Sequence, residues 1–331
     1  MLLGIAYHAS FAYVPGIGPW YVVQDVSTGA PFGVIGNVLH AGRMQVFFAL
    51  AGYFAHLVAA RGDLTAFVVD RARRFVVPLL VAVPLVMLFD WGSQRWALEH
   101  GLLDAAYRGW GESAMRPLHL WFLEYAAIFS LACWPLRGVA MKWRLPPELM
   151  LGLSAFTAGA HLVLGEPTPA FTFVPQLASV VHFGPFFAVG WLLRGSAASL
   201  AGFRRCGWLG PVGVALAAWV SSRPLQYQPT GVVLSSVATW AVVLGAIAVA
   251  VRITGAPSPR VRWLVEASYW VYLSHYPVVV ATQLALAREP WPAWVKYGVV
   301  LLAASAVSLG SYALVVRRSA VGRWLTPSMQ R

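Results

Sequence analysis

The chain has 331 residues, of which 59% are hydrophobic and only 11% are charged. Because a soluble domain carries about 25% charged residues, this composition argues against a soluble enzyme or binding protein. The net charge of +12 would suggest a nucleic-acid partner in a soluble protein, but here the cations flank apolar segments. They are therefore predicted to face the anionic headgroups of a lipid bilayer, and no nucleic-acid partner is expected.

The sequence alternates between ten apolar segments and gaps that contain Gly, Pro and charged residues. The segments approach the roughly 20 residues that a transmembrane helix needs. This pattern predicts an all-α polytopic transmembrane helical bundle of about ten spans, in a single membrane-embedded domain over residues 1–331 with no soluble domain. The predicted segments are residues 1–14, 37–60, 73–90, 118–136, 147–164, 180–194, 208–222, 232–254, 263–286 and 295–316.

The first segment is short, since only 14 residues precede Pro15, whereas a span needs about 20. The opening MLLGIAYHASFAYV also lacks the basic region and the cleavage site of a signal peptide. We therefore expect the first transmembrane helix to be truncated at its N-terminus in this sequence.

The positive charges alternate between successive gaps. Seventeen of the 24 Lys and Arg residues fall in or beside every second gap, six fall in the other gaps, and Arg43 lies inside a segment. Cytoplasmic loops of membrane proteins retain Lys and Arg, so the charge-rich gaps are predicted to be cytoplasmic. Both termini then lie on the cytoplasmic side of a bacterial inner membrane. The predicted cytoplasmic gaps are 61–72, 137–146, 195–207 and 255–262, and the C-terminal tail.

The other gaps are predicted to face outward. The longest of them, residues 91–117, is amphipathic and could lie along the outer membrane interface, where it would help to select a substrate. Charged residues assigned to the outward side include Asp25, Glu166, Arg223, Arg288 and Lys296.

Several ionisable residues lie within the outer halves of the apolar segments, where their cost makes them candidates for a functional site. His8 and Arg43 each lie about six residues from the outer end of their segments, which places both roughly 9 Å below the outer surface. His40 lies about one helical turn before Arg43, and His275 lies at mid-depth in the ninth segment. The predicted outer cluster consists of His8, Arg43, His119, Glu124 and His182.

Structural interpretations of the same residues stay open. A single histidine in a membrane helix often bonds to a backbone carbonyl of a neighbouring helix, which is the interpretation that we give His56 and His161. Arg43 and Glu124 could likewise form an ion pair with a purely structural role.

The basic run RARRFVVP begins at Arg71 and contains Arg73 and Arg74. At minimum it is a cytoplasmic stop signal for membrane insertion. The more specific interpretation is an anion site, because guanidinium groups bind phosphate in bidentate fashion.

Motifs of well-known soluble chemistries are missing from the sequence. GxxxxGK[ST], GxGxxG after a strand, HExxH and GxSxG do not occur. Cys133 and Cys206 lie in different segments without CxxC spacing, so no metal site and no disulfide framework are predicted.

Taken together, these segments resemble the acyltransferase family 3 integral-membrane enzymes, and they are most similar to the glucan biosynthesis protein C-like branch. The matching text covers nearly the whole chain in the order of the family. It comprises LLGIAYHAS around His8, RMQVFFALAGYF from Arg43, DRARRFVVPLL from Asp70, HLWFLEY from His119, FGPFFAVGWLL from Phe183 and ASYWVYLSHYP around His275.

The resemblance implies a role for several of these residues. His8 matches the catalytic histidine of the family, whose basic partner eleven positions earlier would fall before Met1. Arg71 and Arg74 match a pair of arginines that contact an acyl-coenzyme A donor from the cytoplasmic side, with Arg73 as an additional contact. The donor is a substrate, and no tightly bound cofactor is implied. Because the fused outer domain of some family members is absent, the resemblance implies direct transfer or a separate glycan-modifying partner protein.

The function implied is a transmembrane O-acyltransferase (an acyltransferase of groups other than amino-acyl groups). It would move an acetyl or succinyl group from cytoplasmic acyl-CoA to a hydroxyl of an extracytoplasmic glycan or other carbohydrate. His8 could act as general base or as an acylated nucleophile. Arg43 could stabilise the oxyanion, and Glu124 could orient His119 or pair with Arg43. The remaining candidates are predicted to contact the substrate: His40, His182 and His275.

Two other classes of function stay open from the residues alone. A transporter or flippase with proton-coupled histidines would also place ionisable groups in its spans. Such folds often contain two halves related as repeats, and the sequence shows none. The third class is a non-catalytic membrane partner in glycan assembly.

Overall fold

In the described part of the chain, the secondary structure of the computed structural model is helical and contains no strand. This confirms the all-α fold class. The structure describes residues 1–104, 107, 116–138, 148–194, 202–225, 228–253, 258–319 and 322. Some residues that carry the predicted charge pattern lie outside these ranges: Arg108, Glu112, Lys142, Arg144, Arg323 and Arg331.

Each of the ten predicted apolar segments contains a described helix. The helices of the first half are α1 (Leu2–Ser10), α2 (Ala30–Ala59), α3 (Leu64–Arg71), α4 (Val77–Glu99) and α5 (Trp121–Cys133). Those of the second half are α6 (Leu149–Leu164), α7 (Leu177–Arg194), α8 (Leu209–Ser221), α9 (Pro229–Arg252), α10 (Pro259–Leu286) and α11 (Ala293–Leu314). Single 3-10 turns adjoin α1 at Phe11–Tyr13 and α5 at Leu118–Leu120.

Five described helical stretches are long and apolar enough to cross a membrane, and the chain is a multi-pass membrane protein. They are Ala30–Ala59, Leu64–Glu99, Leu177–Arg194, Pro229–Arg252 and Ala293–Arg318. The helices of the remaining predicted spans are shorter or more polar than these five. Helix α6 is apolar but has 16 residues, and α10 has 28 residues but includes polar side chains such as His275 and Gln283.

The third predicted segment, 73–90, is wrong at both ends. Helix begins at Leu64, where the Asp63 carboxylate accepts a hydrogen bond of 2.7 Å from the backbone N–H of Ala66 and caps the first turn. It continues through a π-helical turn, Ala72–Val76, and ends only at Glu99. The three arginines of the basic run therefore lie within a helix and not at the edge of a loop.

The prediction that residues 91–117 form a gap is wrong for the residues up to Glu99, which extend α4. Arg95 and Glu99 form an exposed i,i+4 ion pair of 3.0 Å on this extension. Its sequence is amphipathic, so a search for continuous apolar runs ends too early there. Helix α2 also starts earlier than predicted, at Ala30 and not at residue 37, because Pro31 and the two glycines Gly33 and Gly36 interrupt the apolar run there.

The described residues form two compact units. The first unit comprises those within Met1–Leu39, Ala82–Ala114 and Gly255–Arg331, and the second comprises those within His40–Val81 and Met115–Thr254. In the first unit α1 packs against α10 and α11. The buried residues of this contact are Ile5, Ala9, Val271, Val279, Val300 and Ala304. In the second unit α9 packs against α6 and α8, and α7 packs against α5 and α6.

The first unit contains a fully buried ion pair. Lys296 Nζ in α11 lies 2.7 Å from Asp25 Oδ1, and the two side chains are 0% and 1% exposed. The backbone N–H of Asp25 donates to Ala12 O at 2.9 Å, which folds its loop back onto the end of α1. Asp25 and Lys296 therefore neutralise each other inside the unit and are not solvent-exposed loop charges. Their assignment to the outward side of the membrane stays a prediction.

In the second unit, glycines allow α2 and α7 to approach closely. A Cβ added to Gly190 would overlap the carbonyl group of Ala49, and one added to Gly52 would overlap the carbonyl oxygen of Phe187. Small residues at such contacts let the helix backbones meet, which is how helices associate within lipid.

Gly190→Ala is therefore expected to lower the stability of the second unit by about 1–3 kcal/mol, because backbone atoms cannot yield to the added methyl group. The thermal midpoint of the detergent-solubilised protein measures this loss. Gly159→Ala in α6 is the matched control, since no heavy atom lies within 4 Å of its added Cβ. Equal midpoints for the two variants would contradict the close approach.

Candidate active site

His8 lies near the end of α1 in a group of aromatic rings within the first unit. The centroid of its ring is 5.4 Å from that of His275, 5.4 Å from that of Tyr276 and 5.7 Å from that of Phe11. His8 itself is half-buried. The structure thus brings His275, which the sequence placed only at mid-depth in its segment, next to the predicted catalytic histidine.

The hydrogen bonds of His275 fix its tautomer. Its Nδ1 lies 2.9 Å from Val271 O and 3.0 Å from Tyr272 O. Because carbonyl oxygens only accept, Nδ1 carries the proton, and Nε2 of the neutral ring keeps its lone pair. His275 is 3% exposed. Two imidazoles, one of them held in a fixed orientation, therefore lie side by side in the first unit.

Gln283 supports the backbone under His8. Its Nε2 donates to His8 O at 3.2 Å and to Ala9 O at 3.0 Å, and its Oε1 accepts from the Tyr21 hydroxyl at 2.8 Å. These carbonyls lie where α1 changes into the 3-10 turn, so the amide compensates for helical bonds that are lost there. Gln283 was not predicted from the sequence, although a glutamine within the apolar run VVVATQLAL was a usable signal.

The other four members of the predicted outer cluster belong to the second unit: Arg43, His119, Glu124 and His182.

In the second unit, a polar cluster links α2, α6 and α7, and we define it as His40, Arg43, Gln45, His161 and His182. Gln45 Nε2 lies 3.3 Å from His182 Nε2. As an amide nitrogen only donates, His182 Nε2 accepts, and Nδ1 carries the proton of the neutral ring. His182 interacts electrostatically with His40 and His161, and His40 does so with Arg43.

The two histidines interpreted as carbonyl-bonded have different outcomes. The interpretation is confirmed for His56, whose Nδ1 lies 2.7 Å from Trp191 O on the neighbouring helix α7. It is wrong for His161 within the described residues, where its side chain bonds to no carbonyl and instead lies within electrostatic reach of His182.

His119 and Glu124 lie around the start of α5. His119 is buried in the 3-10 turn Leu118–Leu120, whose first residue, Leu118, has a φ of 47° in the left-handed region that is unfavourable for a leucine. Glu124 is half-buried, and its Oε2 has no hydrogen-bond partner among the described residues. Glu124 pairs with neither Arg43 nor His119 within the described residues, so both suggested partnerships are absent from this structure.

The basic run forms a second candidate site in the second unit. Arg71 donates to Asp70 Oδ2 through Nε at 3.0 Å and also through Nη2, while Arg74 Nε donates to Asp70 Oδ1 at 3.1 Å. Arg71 is 4% exposed, and its guanidinium carbon lies 5.4 Å from the ring centroids of both Phe67 and Phe75.

Burial separates the three arginines of this run. Arg71 is enclosed by Asp70 and two rings, whereas Arg74 is half-buried and Arg73 is exposed. All three lie in or next to the π-helical turn, a distortion that occurs often at functional sites. An anionic ligand can therefore reach Arg73 and Arg74 from outside the unit, whereas Arg71 is enclosed. No group of three or more metal-ligating side chains occurs among the described residues.

Comparison with known proteins agrees with the motifs on which these sites lie. A family model described as an acyltransferase domain (acyltransferase family 3) matches residues 1–312. Glucans biosynthesis protein C of Salmonella gallinarum is 26% identical over 312 residues, which cover 85% of this chain and 79% of that protein. Its counterpart in Salmonella typhi is 25% identical over 315 residues, with the same coverage. No solved structure matches the chain.

The matched region contains all six motifs that carried the resemblance, so the resemblance is confirmed. The chain belongs to the acyltransferase family 3 of membrane acyltransferases.

Proposed function

We propose that this protein transfers an acyl group, acetyl or succinyl, from a coenzyme A thioester in the cytoplasm to a hydroxyl of a carbohydrate outside the cytoplasm. It would act in a bacterial inner membrane with both termini in the cytoplasm. The observation that carries the proposal is the His8–His275 pair, which lies in a family 3 acyltransferase whose relatives are named for glucan biosynthesis. The acceptor is accordingly a glucan or a similar glycan.

His8 is proposed as the general base. As a neutral imidazole it takes the proton of the acceptor hydroxyl while the oxygen attacks the thioester carbonyl. The C–S bond then breaks, the acyl group forms an ester with the sugar, and the coenzyme A thiolate takes up a proton. His275 and Gln283 hold the imidazole and its backbone in position.

We also assign the polar cluster of the second unit to the recognition of polar substrate groups. Arg43 carries a permanent positive charge there, and its attraction for a negatively charged oxygen is strongest where water is scarce. Gln45 and His182 supply hydrogen-bonding groups for hydroxyls, and Gln45 is 4% exposed.

The basic run is proposed to hold the phosphates of the donor. Since Arg71 already contacts Asp70 and two phenylalanine rings, we assign direct phosphate contact to Arg74 and Arg73. Arg71 then positions Asp70, whose second oxygen orients Arg74.

Arg74→Gln is expected to raise the KM for acyl-CoA by roughly 10- to 100-fold, which corresponds to the loss of a hydrogen bond between charged groups. The kcat should change little, because the phosphates and the reacting thioester carbonyl are at opposite ends of the donor molecule. Arg61→Gln is the matched control, as Arg61 is an exposed arginine outside the run. An unchanged KM in Arg74→Gln would reduce the run to a signal for membrane topology.

The proposed reaction can be tested with the purified protein in detergent by following the release of free coenzyme A from acetyl-CoA and succinyl-CoA. We expect release that increases when glucan oligosaccharides are added. A transporter or a non-catalytic assembly partner would release no coenzyme A under either condition.

A further inference from the structure

A polar cavity of about 440 Å³ lies between the end of α6 and the start of α7 in the second unit. Its volume is within the range of small-molecule sites. Neither the mechanism above nor the family comparison uses it. The cavity is lined by Leu164, Glu166, Thr168, Gln176, Leu177 and Ala178.

Gln176 is fixed in this cavity by four hydrogen bonds. Its Oε1 accepts from Thr168 N at 3.2 Å, from Thr168 Oγ1 at 3.0 Å and from Ser179 Oγ at 3.4 Å. Its backbone N–H donates to the hydroxyl of Tyr125 at 3.0 Å. Because the described donors all use the amide oxygen, the side-chain NH₂ group is left as an oriented donor for a ligand.

Glu166 supplies the complementary acceptor. Its carboxylate is exposed and makes no ion pair or hydrogen bond with the described residues. A donor amide and an acceptor carboxylate in one cavity match neighbouring hydroxyls of a sugar, each of which both donates and accepts. Leu164 and Leu177 add apolar surface for the C–H face of the ring.

The negative charge of Glu166 favours a neutral sugar in the cavity over acyl-CoA, the other substrate of the proposed reaction. The phosphates of acyl-CoA would be repelled by Glu166, and the described residues that line the cavity include no Lys or Arg to balance that repulsion. A neutral polyol meets no such cost.

The cavity lies at the ends of α6 and α7 that are nearest to the histidines of the polar cluster. His182 follows Leu177, the first residue of α7, by five positions, which corresponds to about 7.5 Å along the helix axis. His161 precedes Leu164, the last residue of α6, by three positions, or about 4.5 Å. A ligand in the cavity is thus adjacent to the two helix ends that carry these histidines.

We propose that this cavity is a binding subsite for the carbohydrate acceptor, in which Gln176 donates to one hydroxyl and Glu166 accepts from another. The inference rests on the proposed function and adds the location at which the acceptor is recognised.

Two nearly isosteric variants test the subsite. Glu166→Gln replaces an acceptor oxygen by a donor, and Gln176→Glu keeps an oxygen for Thr168 and Ser179 while it removes the donor. Each is expected to raise the KM for glucan oligosaccharide by roughly 3- to 10-fold, as expected for one hydrogen bond. The KM for acyl-CoA should stay unchanged. Glu289→Gln is the control for Glu166→Gln, because it removes the same negative charge at an exposed residue of the first unit.

Equilibrium binding of tritiated glucan oligosaccharide to the detergent-solubilised variants gives a readout that needs no catalysis. Weaker binding in both cavity variants, with thermal midpoints equal to that of the wild type, supports the subsite. If the wild type transfers acyl groups and both variants keep its acceptor KM, the subsite is overturned and the proposed function stands. If the wild type binds glucan in a Glu166-dependent way but releases no coenzyme A, the proposed function fails and the subsite stands.

Discussion

His8→Gln is expected to lower the rate of acyl transfer by roughly 10²- to 10⁴-fold, the usual contribution of a general base. Glutamine keeps a hydrogen-bonding group of similar reach, but it has no nitrogen that can take the proton of an attacking hydroxyl. The measurement is kcat for acceptor-dependent release of coenzyme A at saturating donor and acceptor.

His100→Gln is the matched control for this variant. His100 is an exposed histidine of the same unit, and its Nδ1 bonds only to Trp96 O within its own chain segment at 2.8 Å. It should keep the wild-type rate. A His8→Gln protein that is correctly inserted and retains near-normal kcat would show that the base is another group.

Lys296→Met is expected to cost about 3–5 kcal/mol of stability, because it leaves the Asp25 carboxylate buried without its counter-charge. The double variant Asp25→Asn/Lys296→Met should recover most of this loss, since neutral groups of similar size replace the pair. Thermal midpoints of the detergent-solubilised proteins compare the single and double variants.

Arg95→Met is the control, because it removes the cation of an exposed ion pair instead of a buried one. Arg95 lies 3.0 Å from Glu99, close to the 2.7 Å between Lys296 and Asp25, but its side chain is 83% exposed. Exposed pairs contribute at most about 1 kcal/mol, so this variant should melt close to the wild type. If Lys296→Met and Arg95→Met lower the midpoint equally, the Asp25–Lys296 pair is not buried as described.

The ion pair also bears on the candidate active site. Asp25 and Tyr21 lie in the loop between α1 and α2, and Tyr21 bonds to Gln283, which bonds to His8 O. Loss of Lys296 removes one of the attachments of that loop. We therefore expect that a variant which destabilises this loop also disturbs the orientation of His8.

The helices could be predicted from the sequence wherever a continuous apolar run was bounded by turn residues and charges. The prediction failed where the helix continued as an amphipathic or basic segment, as it does at both ends of the helical stretch Leu64–Glu99. A continuous apolar run indicates which residues are buried in lipid, but it does not show which backbone groups form the hydrogen bonds of the helix. The part of a helix that extends beyond the apolar run therefore leaves a weaker signal in the sequence. The cap at Asp63 was the one local clue to the earlier start.

The candidate site was predicted only in part. The importance of His8 followed from the cost of an ionisable group in a span, but its contact with His275 depends on how α1 packs against α10, which spacing along the chain does not encode. The amides Gln45 and Gln283 were missed because uncharged residues do not interrupt an apolar segment, and Gln176 was missed because it lies in a gap between two segments. His161 was assigned a structural role because no sequence feature indicates that α6 and α7 bring it near His182.

The central claim is that an acyl group crosses the membrane from a cytoplasmic thioester to an external carbohydrate. Oriented proteoliposomes test it directly, with [¹⁴C]acyl-CoA supplied only on the side that carries Arg71–Arg74 and glucan oligosaccharide only on the other. The account predicts labelled glucan that accumulates in the wild type and is lost in His8→Gln. Labelling that occurs only when donor and acceptor are on the same side, or that persists in His8→Gln, would contradict it.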